Sequence, residues 1–292
     1  MSTMTNKPSF KAMGTTIGVE TSGIDLSQEL SGAAFEAIKE VFYRFKVMFF
    51  RRQKLMPENQ IQFSRRFGQQ EVHVLNHYLH AEHPEILIIS NIVDAAGKNI
   101  GIADAGRYWH SDLTYMPVPS AASMLYAHEV PHDENGKALG DTIFSDACAA
   151  YDGLPSELKE RVKDLKALSS LGHRFAKIHK DGISKEKLDD KNNKEAVHPV
   201  VRTHPVTGRK LIYVNEGHTH RILGVSEEES RELLEVLCTH CTQPTFQYRH
   251  KWQVGDLLMW DNAGVQHLAI ADYKLPQRRL MHRTTIAGSA PF

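Results

Sequence analysis

Apolar residues recur at helical spacing in three parts of the chain. They fall three or four positions apart in residues 30–43, 57–67 and 226–241, which predicts a helix in each segment. Pro57 suits the first turn of the second helix, and Gly68 follows its predicted end. Shorter helices are predicted near residues 147–151 and 156–165.

Short apolar or alternating runs, each bounded by turn residues, predict many strands. Ten such runs are separated by loops rich in Pro, Gly, Asn and Asp, and two of them flank a hairpin-like turn at residues 204–209. Many short strands with few helices predict a mainly β fold with flanking helices, in one domain over residues 1–292. The predicted strands are residues 47–50, 85–90, 123–130, 142–144, 200–203, 210–214, 245–248, 256–260, 266–270 and 279–286.

Residues 177–195 are a polar exception in this pattern. The segment holds six Lys together with Asp and Asn, and only three larger apolar residues. A solvated loop accounts for this composition. A lid over a functional site accounts for it as well, because long polar insertions in compact domains often carry function.

Composition and charge narrow the class of protein. Lys and Arg number 35, as do Asp and Glu, so the net charge is zero and gives no electrostatic reason to expect nucleic acid or an anionic membrane as the main partner. No apolar run approaches the roughly 18–20 residues of a membrane span, and the first ten residues lack the pattern of a secretory signal. Three Cys do not form a disulfide framework, and the Cys238-x-x-Cys241 pair fits buried helix cysteines. We therefore expect a cytoplasmic protein.

Histidine is abundant, with 17 residues, so metal ligation is the first chemistry to consider. Several His-x-carboxylate pairs occur, and the pair His110-Ser111-Asp112 is singled out because it lies between aromatic and apolar residues. In an extended chain its two ligands project to the same side. His267 follows an apolar strand and a turn, and could supply a third ligand, although a buried core histidine is the plainer interpretation of this residue alone. Two His and one carboxylate make the facial triad of non-heme Fe(II) oxygenases.

Two arginines near the C-terminus suggest anion binding. On a strand over residues 279–286, Arg279 and Arg283 share one face, and Arg278 lies on the other. A buried arginine is costly unless it is paired, so two on an inward face imply two anions. A surface basic cluster is the alternative.

Several ordered motifs resemble one known family. They are Trp109-His110-Ser111-Asp112, Gly140-Asp141-Thr142, Asn215-Glu216-Gly217, Trp260-Asp261-Asn262 and the segment 277–283. Together they are similar to the taurine dioxygenase and 2,4-dichlorophenoxyacetate dioxygenase family, from about residue 17 to residue 287. The resemblance implies a double-stranded β-helix (jelly roll), an Fe(II) cofactor, and 2-oxoglutarate and O2 as cosubstrates. It also implies a catalytic metal triad of His110, Asp112 and His267.

The resemblance assigns further roles by position. Thr142 and Arg279 match the residues that hold the distal carboxylate of 2-oxoglutarate, and Arg suits this role because its planar fork pairs a carboxylate bidentately. The family's substrate-binding positions correspond to His73, Phe175, His218 and Arg283.

Two of the pocket positions differ from the taurine-specific enzymes. Those enzymes carry an Asn shortly before the Trp-His motif, where this chain has Gly106-Arg107-Tyr108, and an aromatic Phe where this chain has His218. We therefore expect hydroxylation of a small organic anion: a sulfonate first, then an aryloxyalkanoate, with sulfate esters also open. Asp112 favours hydroxylation over halogenation.

Alternatives outside this class are a non-catalytic jelly-roll binding protein and a zinc site on the same triad. Association into a dimer or tetramer is also expected from the resemblance.

Overall fold

A computed structural model of the chain describes residues 7–72, 76–172 and 194–292. Its helices are α1 (Gly32–Phe45), α2 (Pro57–Arg65), α3 (Ala147–Asp152), α4 (Ser156–Val162) and α5 (Glu227–Cys241). Its first eight strands are β1 (Ser9–Ala12), β2 (Val19–Ser22), β3 (Val47–Phe50), β4 (Gln70–Glu71), β5 (Leu87–Ser90), β6 (Ala122–Glu129), β7 (Thr142–Asp146) and β8 (Lys166–Ser170). The others are β9 (Glu195–Pro199), β10 (Val201–Thr203), β11 (Lys210–Ile212), β12 (Thr219–Leu223), β13 (Gln247–His250), β14 (Leu257–Asp261), β15 (Val265–Ala269) and β16 (Leu280–Ile286).

The strands form one large sheet and three small ones within the described residues. The large sheet has the order β1-β2-β3-β14-β6-β16-β4, with β5 paired to β16, and a three-stranded sheet has the order β13-β7-β15. The other small sheets are β12-β8-β9 and the hairpin β10-β11. This mainly β architecture with a few helices confirms the predicted fold class.

Strand β3 shows why the central strands are apolar on both faces. Met48 and Phe50 pack in the same core cluster as Ile38 and Phe42 of helix α1. Phe49 lies in a second cluster with residues of the small sheet β13-β7-β15, between the two sheets. Successive side chains on a strand point to opposite faces, so a strand between a helix and a second sheet needs apolar residues throughout.

Helix α1 begins and ends as its local sequence requires. The Ser31 hydroxyl accepts a hydrogen bond from the Ala34 N–H, which satisfies one free amide of the first turn. The helix ends at Lys46, which adopts a left-handed conformation with φ of 61°. Burial of Ala34, Ile38 and Phe42 at four-residue spacing fixes the helix against the large sheet.

The predicted elements differ from the structure in a few places. All five predicted helices and all ten predicted strands are present, most of them with ends shifted by one or two residues. The pattern missed six strands, β1, β2, β4, β8, β9 and β12, which are short and carry polar residues on one side. The predicted lid at 177–195 lies outside the described residues up to 193, and Glu195 already belongs to strand β9. No helix in the described part of the chain is long and apolar enough to cross a membrane.

Candidate active site

The two histidines of the predicted triad are held together by their own backbones. The His110 N–H donates to the His267 carbonyl at 3.1 Å, and the His267 N–H donates to the His110 carbonyl at 2.8 Å. His267 lies in strand β15, so this reciprocal pair attaches the segment around His110 to the edge of the small sheet. The two imidazole rings are 4.1 Å apart, centre to centre.

Asp112 completes the cluster. Its Oδ1 atom lies 3.6 Å from His110 Nε2 and 3.9 Å from His267 Nε2, and all three side chains are buried. Among the described residues, this is the one group of three or more His, Cys, Asp or Glu side chains whose ligand atoms lie close enough together to hold a metal ion. The structure thus brings the three residues of the predicted triad together.

Hydrogen bonding and burial set the environment of the two histidines. His110 Nδ1 is 2.9 Å from the Tyr108 carbonyl, an acceptor, so Nδ1 donates to it and Nε2 faces Asp112 and His267. Burial, reinforced by His110, holds the pKa of His267 well below its usual value, so His267 is neutral.

Asp112 is ionised despite its burial. Burial raises its pKa, but the neighbouring charge of Arg283 outweighs this effect and holds the pKa well below the usual value. An ionised carboxylate and two imidazoles thus converge on one point. This donor set fits a divalent cation, and nitrogen and carboxylate ligands suit Fe(II).

The second oxygen of Asp112 is held from the large sheet. Oδ2 is 2.8 Å from Arg283 Nη2 on strand β16 and accepts a hydrogen bond from the Ser123 hydroxyl on strand β6 at 3.2 Å. Arg283 also donates to Ser123 at 3.0 Å. These contacts leave Oδ1 as the oxygen directed at the two histidines. No sequence pattern pointed to Ser123, because its partner Asp112 lies eleven residues away in an irregular segment.

Two predicted anion-binding residues lie beside the cluster. Arg279 is 5% exposed, and its Nε has no hydrogen-bond partner among the described residues. The Thr142 hydroxyl accepts a hydrogen bond from Trp252 Nε1 at 3.0 Å, so its own hydrogen is left to donate. A cavity of about 60 Å3 has both residues in its wall. Its lining also includes His110, His267, Arg283 and the apolar residues Ile89, Leu125, Phe144 and Trp260.

The strand geometry separates the arginines as predicted. Arg279 and Arg283 point inward, while Arg278 lies outside and pairs with Glu129 through two contacts of 2.9 Å. The backbone of Arg279 is fixed by Asn91, whose side-chain oxygen accepts from the Arg279 N–H at 2.9 Å. Arg283 is paired with the Asp112 carboxylate, whereas no ion pair is formed by Arg279 among the described residues, so positive charge is left for incoming anions.

The remaining predicted pocket residues are placed as follows. His218 is buried, with its ring 5.8 Å from that of His110 and its Nδ1 2.9 Å from the Thr114 hydroxyl. Gly106 lines the cavity with φ of 73°, and a Cβ built there would lie 3.1 Å from the His110 ring. His73 and Phe175 lie outside the described residues.

The family is established by comparison of the whole chain. A sequence model of the family described as "Taurine catabolism dioxygenase TauD, TfdA family" matches residues 9–285. The chain therefore belongs to the TauD/TfdA family.

The curated relatives of this chain are named for different substrates or products. The chain is 31% identical to pentalenolactone F synthase of Streptomyces avermitilis (95% of this chain, 93% of the relative). It is 32% identical to an alpha-ketoglutarate-dependent sulfate ester dioxygenase of Pseudomonas putida (94% and 88%). It is 33% identical to the alpha-ketoglutarate-dependent 2,4-dichlorophenoxyacetate dioxygenase of a Burkholderia species (92% and 91%).

Solved structures agree with the fold. A taurine dioxygenase from Burkholderia xenovorans superposes with a TM-score of 0.81 at 30% identity, covering 98% of this chain and 91% of that one. The protein AAD-2, in complex with Mn(II) and N-oxalylglycine, also gives 0.81 at 30% identity, covering 98% and 99%. The chain has the jelly-roll fold of these neighbours. It is an Fe(II)/2-oxoglutarate-dependent dioxygenase, and the binding-protein and zinc alternatives are set aside.

Proposed function

We propose that His110, Asp112 and His267 hold Fe(II), that Thr142 and Arg279 hold 2-oxoglutarate, and that Arg283 and His218 face the substrate. The observation that carries this proposal is the shared cavity, whose wall contains both histidines, Thr142 and two inward arginines. Two arginines beside one metal cluster match a reaction that uses two organic anions at once.

Iron, when bound, supplies the oxidative step, in which 2-oxoglutarate loses CO2 to give succinate while a substrate carbon is hydroxylated. The residues of the chain bind and orient the two organic anions, and they exclude water. Arg279 and the Thr142 hydroxyl offer donors to the distal carboxylate of 2-oxoglutarate. The apolar wall of Phe144, Leu125 and Trp260 keeps water from the reacting carbon.

Arg283 has two roles in this proposal: it holds Asp112 and it binds the anionic group of the substrate. One Nη2 contact holds Asp112 Oδ2, and its buried Nε has no hydrogen-bond partner among the described residues. An anionic substrate group would therefore meet a guanidinium that is already oriented by Asp112 and Ser123. Orientation before binding lowers the entropy cost of recognition.

The substrate is an organic anion that carries a sulfonate, with an aryloxyalkanoate as the second candidate and a sulfate ester as the third. The sulfonate ranking rests on the Asn215-Glu216-Gly217 motif and on the segment 279–283, which resemble the taurine branch. The segment Gly106-Arg107-Tyr108 and His218 depart from the pocket residues of the taurine-specific enzymes, so a sulfonate other than taurine fits the sequence better. A cytoplasmic location and a dimer or tetramer complete the proposal.

An anaerobic titration tests the assignment directly. Fe(II)-loaded protein receives 2-oxoglutarate, and the weak visible charge-transfer band of the chelate is recorded. A panel of sulfonates, aryloxyalkanoates and sulfate esters is then added, and succinate is measured after O2 is admitted. We expect the band to appear and to shift with one class, and sulfite release identifies a sulfonate. Iron binding without a band contradicts the roles of Thr142 and Arg279, and turnover without sulfite across the sulfonate panel contradicts the ranking.

A further inference from the structure

The Trp260-Asp261-Asn262 motif contains a residue to which neither the motif nor the family resemblance gave a role. Asn262 follows strand β14 in the turn that leads to strand β15, and its side chain is fully buried. It lies 150 positions from Asp112 in the sequence, yet the two residues are in direct contact.

The Asn262 amide holds the main chain of Asp112 from both sides. Its Oδ1 accepts the Asp112 N–H at 2.6 Å, and its Nδ2 donates to the Asp112 carbonyl at 2.9 Å. Nδ2 also donates to the Ser120 carbonyl at 2.9 Å and lies 3.1 Å from the Ser120 hydroxyl. The amide orientation follows from these partners, because only Oδ1 can accept the Asp112 N–H and only Nδ2 can donate to the carbonyls.

These bonds replace a missing strand partner. His110 is paired with His267 by backbone hydrogen bonds, but Asp112 lies in a turn outside every strand, and the next residue, Leu113, has a positive φ of 58°. A turn with no sheet partner would leave the Asp112 carboxylate poorly placed relative to the histidines. The Asn262 side chain satisfies both main-chain groups of Asp112 and ties them to the β14–β15 connection, which leads into the strand that carries His267.

We propose that Asn262 is a positioning residue for the metal site, because it fixes the backbone of Asp112 while Ser123 and Arg283 fix its carboxylate. This inference rests on the proposed metal role of Asp112. Partners that orient a ligand typically change metal affinity by about 10–100-fold when they are lost.

The experiment compares metal affinity with stability in two buried-amide variants. Asn262→Leu removes the bonds to Asp112 with little change in shape. Gln53→Met is the matched control, because Gln53 is also a buried amide that holds backbone groups, at Leu26 and Ile24, away from the cavity. Mn(II) affinity of the metal-free proteins is measured by calorimetry, and melting temperatures are measured without metal. We expect Asn262→Leu to lose about 10–100-fold in Mn(II) affinity, while Gln53→Met loses stability but keeps its affinity.

The outcomes are distinguishable. Equal Mn(II) affinity in Asn262→Leu and the parent protein, or equal losses in both variants, overturns the positioning role and leaves the proposed function intact. A parent protein that binds no Mn(II) overturns the proposed metal site, and this inference falls with it. If Asn262→Leu does not fold, Asn262→Asp decides. It keeps an acceptor for the Asp112 N–H but places an oxygen against the Asp112 carbonyl, so we expect weaker Mn(II) binding, and unchanged binding refutes the role.

Discussion

Replacing Arg279 with methionine should change 2-oxoglutarate binding and protein stability in opposite directions. Arg279 and Thr142 together form the proposed 2-oxoglutarate clamp. Arg279 is buried, and the described part of the chain offers its Nε no hydrogen-bond partner. Its guanidinium lies 5.9 Å from the ring of Tyr273, and no carboxylate among the described residues forms an ion pair with it. A charge in this position costs folding free energy and is useful only when an anion arrives.

The expected magnitudes follow from this environment. A hydrogen bond to a charged partner is worth about 1.5–3 kcal/mol, so losing the clamp weakens 2-oxoglutarate binding by roughly 10–150-fold. The same substitution removes a buried charge with an unsatisfied Nε, so the ligand-free protein should melt at the same temperature or higher. The two effects have opposite signs, which a general loss of structure cannot produce.

Anaerobic titration of the Fe(II) protein with 2-oxoglutarate gives the affinity, and thermal melts of the metal-free protein give the stability. The matched control is Arg278→Met, one position earlier, where the side chain is exposed and pairs with Glu129 on the surface. We expect the control to change neither quantity appreciably, because exposed ion pairs contribute little. If Arg279→Met binds 2-oxoglutarate as the parent protein does, or if Arg278→Met loses the same affinity, the clamp is not at Arg279.

Three further predictions concern the metal site and the sheet behind it. His110→Ala should abolish succinate formation and Mn(II) binding, whereas His83→Ala, in a His-x-carboxylate pair away from the cluster, should leave both intact; normal turnover by His110→Ala contradicts the triad. Gly106→Ala should cost about 1–2 kcal/mol of stability and weaken Mn(II) binding, because φ is 73° and the added Cβ would press on the His110 ring; unchanged melting and affinity refute this. His282 lies among three other histidines, and burial followed by their charges lowers its pKa to about 3. The charged form is therefore penalised in the folded protein, so the contribution of this group to the free energy of unfolding is largest above pH 6.5. It decreases as the pH falls from 6.5 toward 3, by about 1.4 kcal/mol at pH 5.5. His282→Gln should flatten the pH dependence of urea unfolding in that range, and an unaltered slope excludes this residue as its source.

The sequence predicted those parts of the site that are local in the chain. His110 and Asp112 stand two positions apart, and the alternation predicted over residues 279–286 placed Arg279, just before strand β16, on the same face as Arg283, so pattern and resemblance were sufficient. Strands β3, β6 and β14 of the large sheet were predictable because they are mostly apolar and buried runs. The short polar-edged strands β8 and β12 were not, because their alternation spans only five residues each.

Contacts between segments that are distant in the chain could not be predicted from the sequence. Ser123 and Asn262 hold Asp112 across 11 and 150 positions, and nothing in their immediate neighbourhoods distinguishes a buried serine or asparagine from a turn residue. The Trp260-Asp261-Asn262 motif did draw attention to Asn262, but only the fold shows which residue it holds. The roles of His73 and Phe175 and the lid at 177–195 stay predictions.

The reciprocal backbone pair between His110 and His267 has a consequence for how such a site can diversify. Main-chain hydrogen bonds set the spacing of these two ligands, so neighbouring side chains can be exchanged without changing that spacing. His218 lies against the His110 ring but contributes nothing to the pair itself. Substrate range can therefore drift, one pocket residue at a time, on an oxidative centre that keeps its shape.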